Sequence, residues 1–188
     1  GEVVDTRFSD SVIQSQARMV YEDVAAVLEG DKAMAARYRH LADTFLLMGE
    51  LQDILYEKRR ARGSLDFDLP EARVSLTAEG EIAGILPYKR TKAHRLVEEF
   101  MLAANEAVAL YLYEKHVPSL YRVHEEPDPR KMDKLRAFLR TVGATLPVRE
   151  NGIRPMDIQR AISRFEGRPE ERIVHHAALR SMMLARYT

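Results

Sequence analysis

In HRLVEEFMLAANEAVALYLY, residues 94–113, apolar side chains recur at helical spacing: Leu96, Val97, Phe100, Met101, Ala104, Ala107, Val108, Tyr111 and Leu112. Leu102, Ala103, Ala109 and Leu110 carry apolar character well beyond that stripe. Such a helix is expected to be buried on most sides, with Glu99 and Glu106 sharing the one solvent strip. Glu98 and Asn105, two turns apart, fall outside the strip beside Met101 and Leu102. A desolvated carboxylate or amide needs partners, since burying it unpaired costs on the order of several kcal/mol. Two readings follow: Glu98 and Asn105 bond backbone or an arginine, or this face lines a ligand channel.

Working outward, residues 2–8 (EVVDTRF) read as a strand. Ser15 is placed to cap a helix with Ala17, Val20, Val24, Val27 and Leu28 on one stripe, closed by Gly30. Tyr21 lies on the shoulder of that stripe. Asp31 is expected to cap a short helix, and a long one runs from about His40 to the basic residues Lys58, Arg59, Arg60 and Arg62 before Gly63. ARVSLT and EIAGIL predict a hairpin turning at Glu79-Gly80. LYRVH predicts a strand with Arg122 and His124 on one side. Asp128-Pro129 opens a helix stopped by Gly143, residues 144–154 form a loop turning at Asn151-Gly152, and Pro155 and Pro169 sit at the first turns of two more helices. The last of these is expected to carry LRSMMLARY. The fold class is a helix-rich α+β with a small antiparallel hairpin.

With 188 residues, 46% hydrophobic and 31% charged, the chain can build a core as one domain or part of a larger one. Its 29 basic and 29 acidic residues give no net charge, so any nucleic-acid groove must be local. Without cysteine there is no disulfide partner and no thiolate metal site, which fits a reducing, cytoplasmic compartment. No apolar run reaches transmembrane length. Starting at Gly1 and stopping at Thr188 without a polar tail, the chain reads as a piece of a longer protein.

No glycine-rich phosphate loop, nucleophile elbow or HExxH is present. Asp66 and Asp68 flank Phe67, a weak metal signal, and His94 with Glu98 is a weak second one. The basic clusters 58–62 and 89–92 read as solvated surface.

Five stretches taken together carry a more specific signal: SQARMVYEDVAAVLEG, RGSLDFDLPEA, AHRLVEEFMLAANEAVA, LYRVHEEPDPRKM and LRSMMLARYT. In this order and at these separations the chain resembles the catalytic (RNB) domain of the ribonuclease II/ribonuclease R family. The resemblance implies processive 3′→5′ hydrolysis of single-stranded RNA to nucleoside 5′-monophosphates, with Mg²⁺ held by aspartates outside this chain. It implies that residues 1–188 are part of a single RNB catalytic domain. It assigns Tyr21 and Glu98 to the ribose near the RNA 3′ end and Phe67 to base stacking, with support from Asn105, Arg122 and His124. A 2′-hydroxyl can be read by a phenol and a carboxylate, and a phenyl ring stacks on any base. The competing expectation is a non-catalytic RNA-binding or scaffold module that keeps the fold.

Overall fold

The structure is a computed structural model and describes residues 2–67, 71–88, 90–147 and 152–188. Asp68, Lys89 and Asn151, on which the second aspartate of the pair, one end of a basic cluster and a turn were expected, lie outside the described residues. Helices and strands follow in the order α1 Tyr21–Leu28, α2 Lys32–Arg37, α3 Ala42–Ala61, β1 Glu71–Leu76, β2 Ile82–Tyr88, α4 Lys92–Glu114, β3 Arg122–His124, α5 Pro129–Thr141, α6 Pro155–Ile162, α7 Glu171–Ser181 and β4 Ala185–Tyr187. They divide between two compact units, residues 1–58 with 89–118 and residues 59–88 with 119–188.

In the first unit α1 lies on α4. Ala25 and Val27 of α1, Phe45 of α3, and Ala93 and Leu96 of α4 are its buried apolar residues. Glycine at 49 lets α3 approach α1, because a Cβ there would come within 2.8 Å of Leu28 Cδ2. Asp31 caps α2 as expected, its Oδ1 accepting from Ala33 and Met34 N–H at 2.9 Å. The cap expected at Ser15 does not form. Helix α1 begins at Tyr21 behind an extended Val20, and Ser15 Oγ instead donates to Ala17 C=O. Residues 2–8 form no strand and are exposed. Their alternating pattern finds no ladder partner among the described residues, and a lone strand leaves its backbone groups to water.

The second unit is built on Leu135 and Leu139 of α5, Ile158 and Ile162 of α6, and Val174 and Ala178 of α7, with Phe165 beside them. Four of its side chains, Leu135, Leu139, Ile158 and Val174, are fully buried. Burial of each contributes about 1.5–3 kcal/mol of apolar stabilisation. Asp128 caps α5 with Pro129 in the first turn, and Pro155 opens α6. Pro169 stands two residues before α7, whose first residue is Glu171. Strands β1 and β2 pair antiparallel around the expected turn, where Gly80 has φ +87°. LRSMMLARY is not one helix. Helix α7 ends at Ser181, and Ala185–Tyr187 pair antiparallel with Arg122–His124. A distant strand outcompetes local helical propensity here.

Candidate functional site

Helix α4 corrects the expectation that it is enclosed. Its buried residues are Ala93, Leu96 and Glu99. Val97, Met101, Val108, Leu110, Tyr111 and Tyr113 are exposed. The buried stripe therefore runs 93–96–99, and Glu99, expected at the solvent strip, is only 4% exposed. It is not without a partner, as a desolvated carboxylate requires. Asn105, expected off the solvent strip, is exposed. The apolar pattern is wide enough for several burial phases, and packing against α1 selects one.

The start of α4 brings two of the candidate residues, Tyr21 and Glu98, into contact with its first turns. Thr91 is extended, as an N-cap requires, and His94 folds back on it. His94 Nδ1 accepts from Thr91 N–H at 3.2 Å and lies 2.7 Å from Thr91 Oγ1. The imidazole stacks on Tyr21, the first residue of α1, with ring centroids 3.9 Å apart and planes 17° from parallel. Tyr21 remains 41% exposed, so one ring face is covered and the rest is reachable. One turn beyond His94, Glu98 pairs with Arg90 Nη2 through Oε2, with 32% of its side chain exposed. The arginine partner considered from the sequence is thus present, and the carboxylate stays accessible from solvent. His94 and Glu98 are each engaged in these contacts. Arg90 carried no sequence signal beyond its basic cluster.

Phe67, Arg122 and His124 belong to the second unit. Gly63, at φ +93°, turns the chain after α3 where a Cβ would meet Met156 N at 2.8 Å. Gln159 Nε2 then donates to Arg60 C=O at 3.0 Å and Ser64 C=O at 2.9 Å. This anchors the segment leading to Phe67, which packs half-buried on the core and meets His175 edge-on at 5.8 Å. Arg122 and His124 are exposed on one side of β3, as alternation predicts. His124 Nδ1 lies 3.2 Å from Met183 C=O, so that nitrogen carries the proton.

Among the described residues no group of three or more His, Asp or Glu side chains could hold a metal ion, and no helix is long and apolar enough to cross a membrane.

The family described as RNB domain matches residues 1–188. Ribonuclease R of Aquifex aeolicus is 43% identical over 179 residues, covering 95% of this chain and 25% of that protein. Ribonuclease R of Escherichia coli is 30% identical over 187 residues, covering 100% of this chain and 23% of its own. The chain spans about a quarter of the length of these curated relatives. Mycoplasma genitalium RNase R, solved in complex with ribose methylated single-stranded RNA, has the same fold at TM-score 0.74 and 21% identity, over 89% of this chain and 26% of that one.

Proposed function

Matched along its whole length, this chain belongs to the RNB domain family, and we propose that it is part of a processive 3′→5′ exoribonuclease that hydrolyses single-stranded RNA to nucleoside 5′-monophosphates. The observation that carries this is the 43% identity to a ribonuclease R across 95% of the chain. In this reading residues 1–188 are part of one RNB catalytic domain working in the cytoplasm. Mg²⁺ is held by residues other than those described here, which offer no cluster for it. When bound, such a metal activates water and stabilises the leaving oxygen.

What this chain contributes is recognition of the substrate. Tyr21 and Glu98 read the ribose: the stack on His94 and the pair with Arg90 hold both groups in place before RNA arrives. Pre-ordering of this kind lowers the entropy lost on binding. Phe67 offers a ring for base stacking, and Asn105, Arg122 and His124 support the path, all three being exposed.

The test compares RNA and DNA oligomers as substrates of the intact parent enzyme, wild type against Glu98→Ala and Glu98→Gln. A lost hydrogen bond to a charged group costs about 1.5–3 kcal/mol, so Glu98→Ala should relax the preference for RNA roughly tenfold to a hundredfold. The partly exposed pair with Arg90 adds little to stability, about 0–1 kcal/mol, so thermal melts should change little. An unchanged RNA-to-DNA ratio in a destabilised mutant would leave Glu98 a structural residue. Binding of RNA by the parent without Mg²⁺-dependent release of nucleotides would make the protein a binding module instead.

A further inference from the structure

The first unit holds a cavity of about 500 Å³ between α3 and the start of α4. Its lining sorts by exposure. Glu29, Asp53 and Glu57 are exposed residues, whereas Gln52 is 3% exposed and Arg90, Lys92 and Arg95 are half-buried. The deeper part of the lining is therefore made of hydrogen-bond donors and positive charge, and the carboxylates belong to the solvent side. Asp53 is already matched, its Oδ2 lying 3.0 Å from Lys92 Nζ.

Two donors at this cavity make no hydrogen bond among the described residues, and one of them is wholly buried. Arg95 Nε is buried and has no hydrogen-bond partner. The side-chain amide of Gln52 makes no hydrogen bond among the described residues, although the residue is almost wholly removed from water. Buried N–H groups are nearly always paired, and an orphan beside a roomy polar cavity leaves a place for an acceptor from outside. The third donor set is the N-terminus of α4, a helix of 23 residues with no acidic side chain in its first turn. Its leading N–H groups and dipole favour an anion.

We propose that this cavity binds a phosphate-class oxyanion, held by the Arg95 guanidinium, the Gln52 amide and the first N–H groups of α4. Arg90 lies on the same lining and also pairs with Glu98, so the site adjoins that carboxylate without including it. A planar guanidinium with a second donor at its side suits the tetrahedral oxygens of a phosphate. The phosphate can come from inorganic phosphate or from a phosphodiester of RNA. The inference does not depend on the exonuclease reading.

The experiment is a ¹H–¹⁵N titration of the full chain with inorganic phosphate, against chloride at matched ionic strength. Phosphate should move the backbone amides of Lys92 and Ala93, the Gln52 side-chain NH₂ and the Arg95 Nε–H together and saturably. Arg95→Met and Gln52→Leu should each weaken binding tenfold or more, while Arg136→Met on α5 leaves it unchanged. A short oligoribonucleotide that competes for the same signals identifies the phosphodiester as the source; failure to compete leaves free phosphate. No saturable shift, equal shifts with chloride, or undiminished binding by correctly folded Arg95→Met and Gln52→Leu would overturn the proposal. If either variant fails to fold, the location of the shifts in the unaltered chain decides.

Discussion

His94 does two jobs that are usually kept apart. Its Nδ1 takes the place of the glutamate or glutamine that commonly folds back on a helix N-cap, and its ring carries the ring of Tyr21. The two contributions are separable by substitution. His94→Gln keeps an acceptor for Thr91 N–H but removes the ring, which should cost about 0.5–1.5 kcal/mol for the lost aromatic pair. His94→Phe keeps a ring on Tyr21 but removes the acceptor, which should cost about 1 kcal/mol. Urea unfolding of the full chain measures both. In a Tyr21→Leu background the His94→Gln penalty should shrink, because the stack is already gone, whereas the His94→Phe penalty from the lost cap should persist. Equal penalties in both backgrounds would show that the stack carries no energy.

At the scale of elements, the two most testable features are the α5–α6–α7 core and the β1–β2 turn. Leu139 is fully enclosed, so Leu139→Ala should destabilise by about 2–5 kcal/mol, read as a lower urea midpoint. The turn has a pH dependence of defined sign. The Thr77 hydroxyl, and next the residue's own N–H, hold the Glu79 carboxyl below its ordinary value of 4.5. A folded-state value below the unfolded one stabilises above the ordinary carboxylate range and is lost as pH falls through it. Acidification should therefore loosen the turn, seen as faster exchange of Gly80 N–H, which donates to Thr77 C=O at 3.1 Å. Thr77→Val should move the Glu79 titration back toward its ordinary value. Elements of this kind were legible in the sequence because their causes are local: Asp31 and Asp128 cap helices, Pro155 starts one, and Gly63 and Gly143 take positive φ after two others. What was illegible depends on distant partners. The end of α7 is decided by β3, some sixty residues away, and the burial of Glu99 by where α4 meets α1. The apolar residues of α4 announce a helix that seeks cover, not which of its faces this chain covers. The same holds for the site: Glu98 stood out as a polar residue on an apolar helix, but Arg90, Gln52 and Arg95 matter through tertiary placement that no spacing rule reports.

At the scale of the whole molecule, neither unit is continuous in sequence, since residues 59–88 of the second interrupt the first. Among the described residues no group could hold a metal ion, which sets one expectation: the purified 188-residue chain, given Mg²⁺ and single-stranded RNA, should release no nucleotides. Appearance of nucleoside monophosphates in that assay would require metal ligands among Asp66, Asp68 and Glu98. The β3–β4 pairing, closed by reciprocal bonds of 3.0 Å between Tyr121 and Thr188, has a consequence in time. During synthesis at roughly 5–20 residues per second, β3 emerges about 3–12 seconds before its partner strand exists. For that interval a nascent chain carries an unmatched strand edge, open to any passing extended peptide. Ribosome-bound chains stalled before Ala185 should accordingly be sensitive to protease around residues 119–124, and chains stalled well beyond Thr188 should be resistant there.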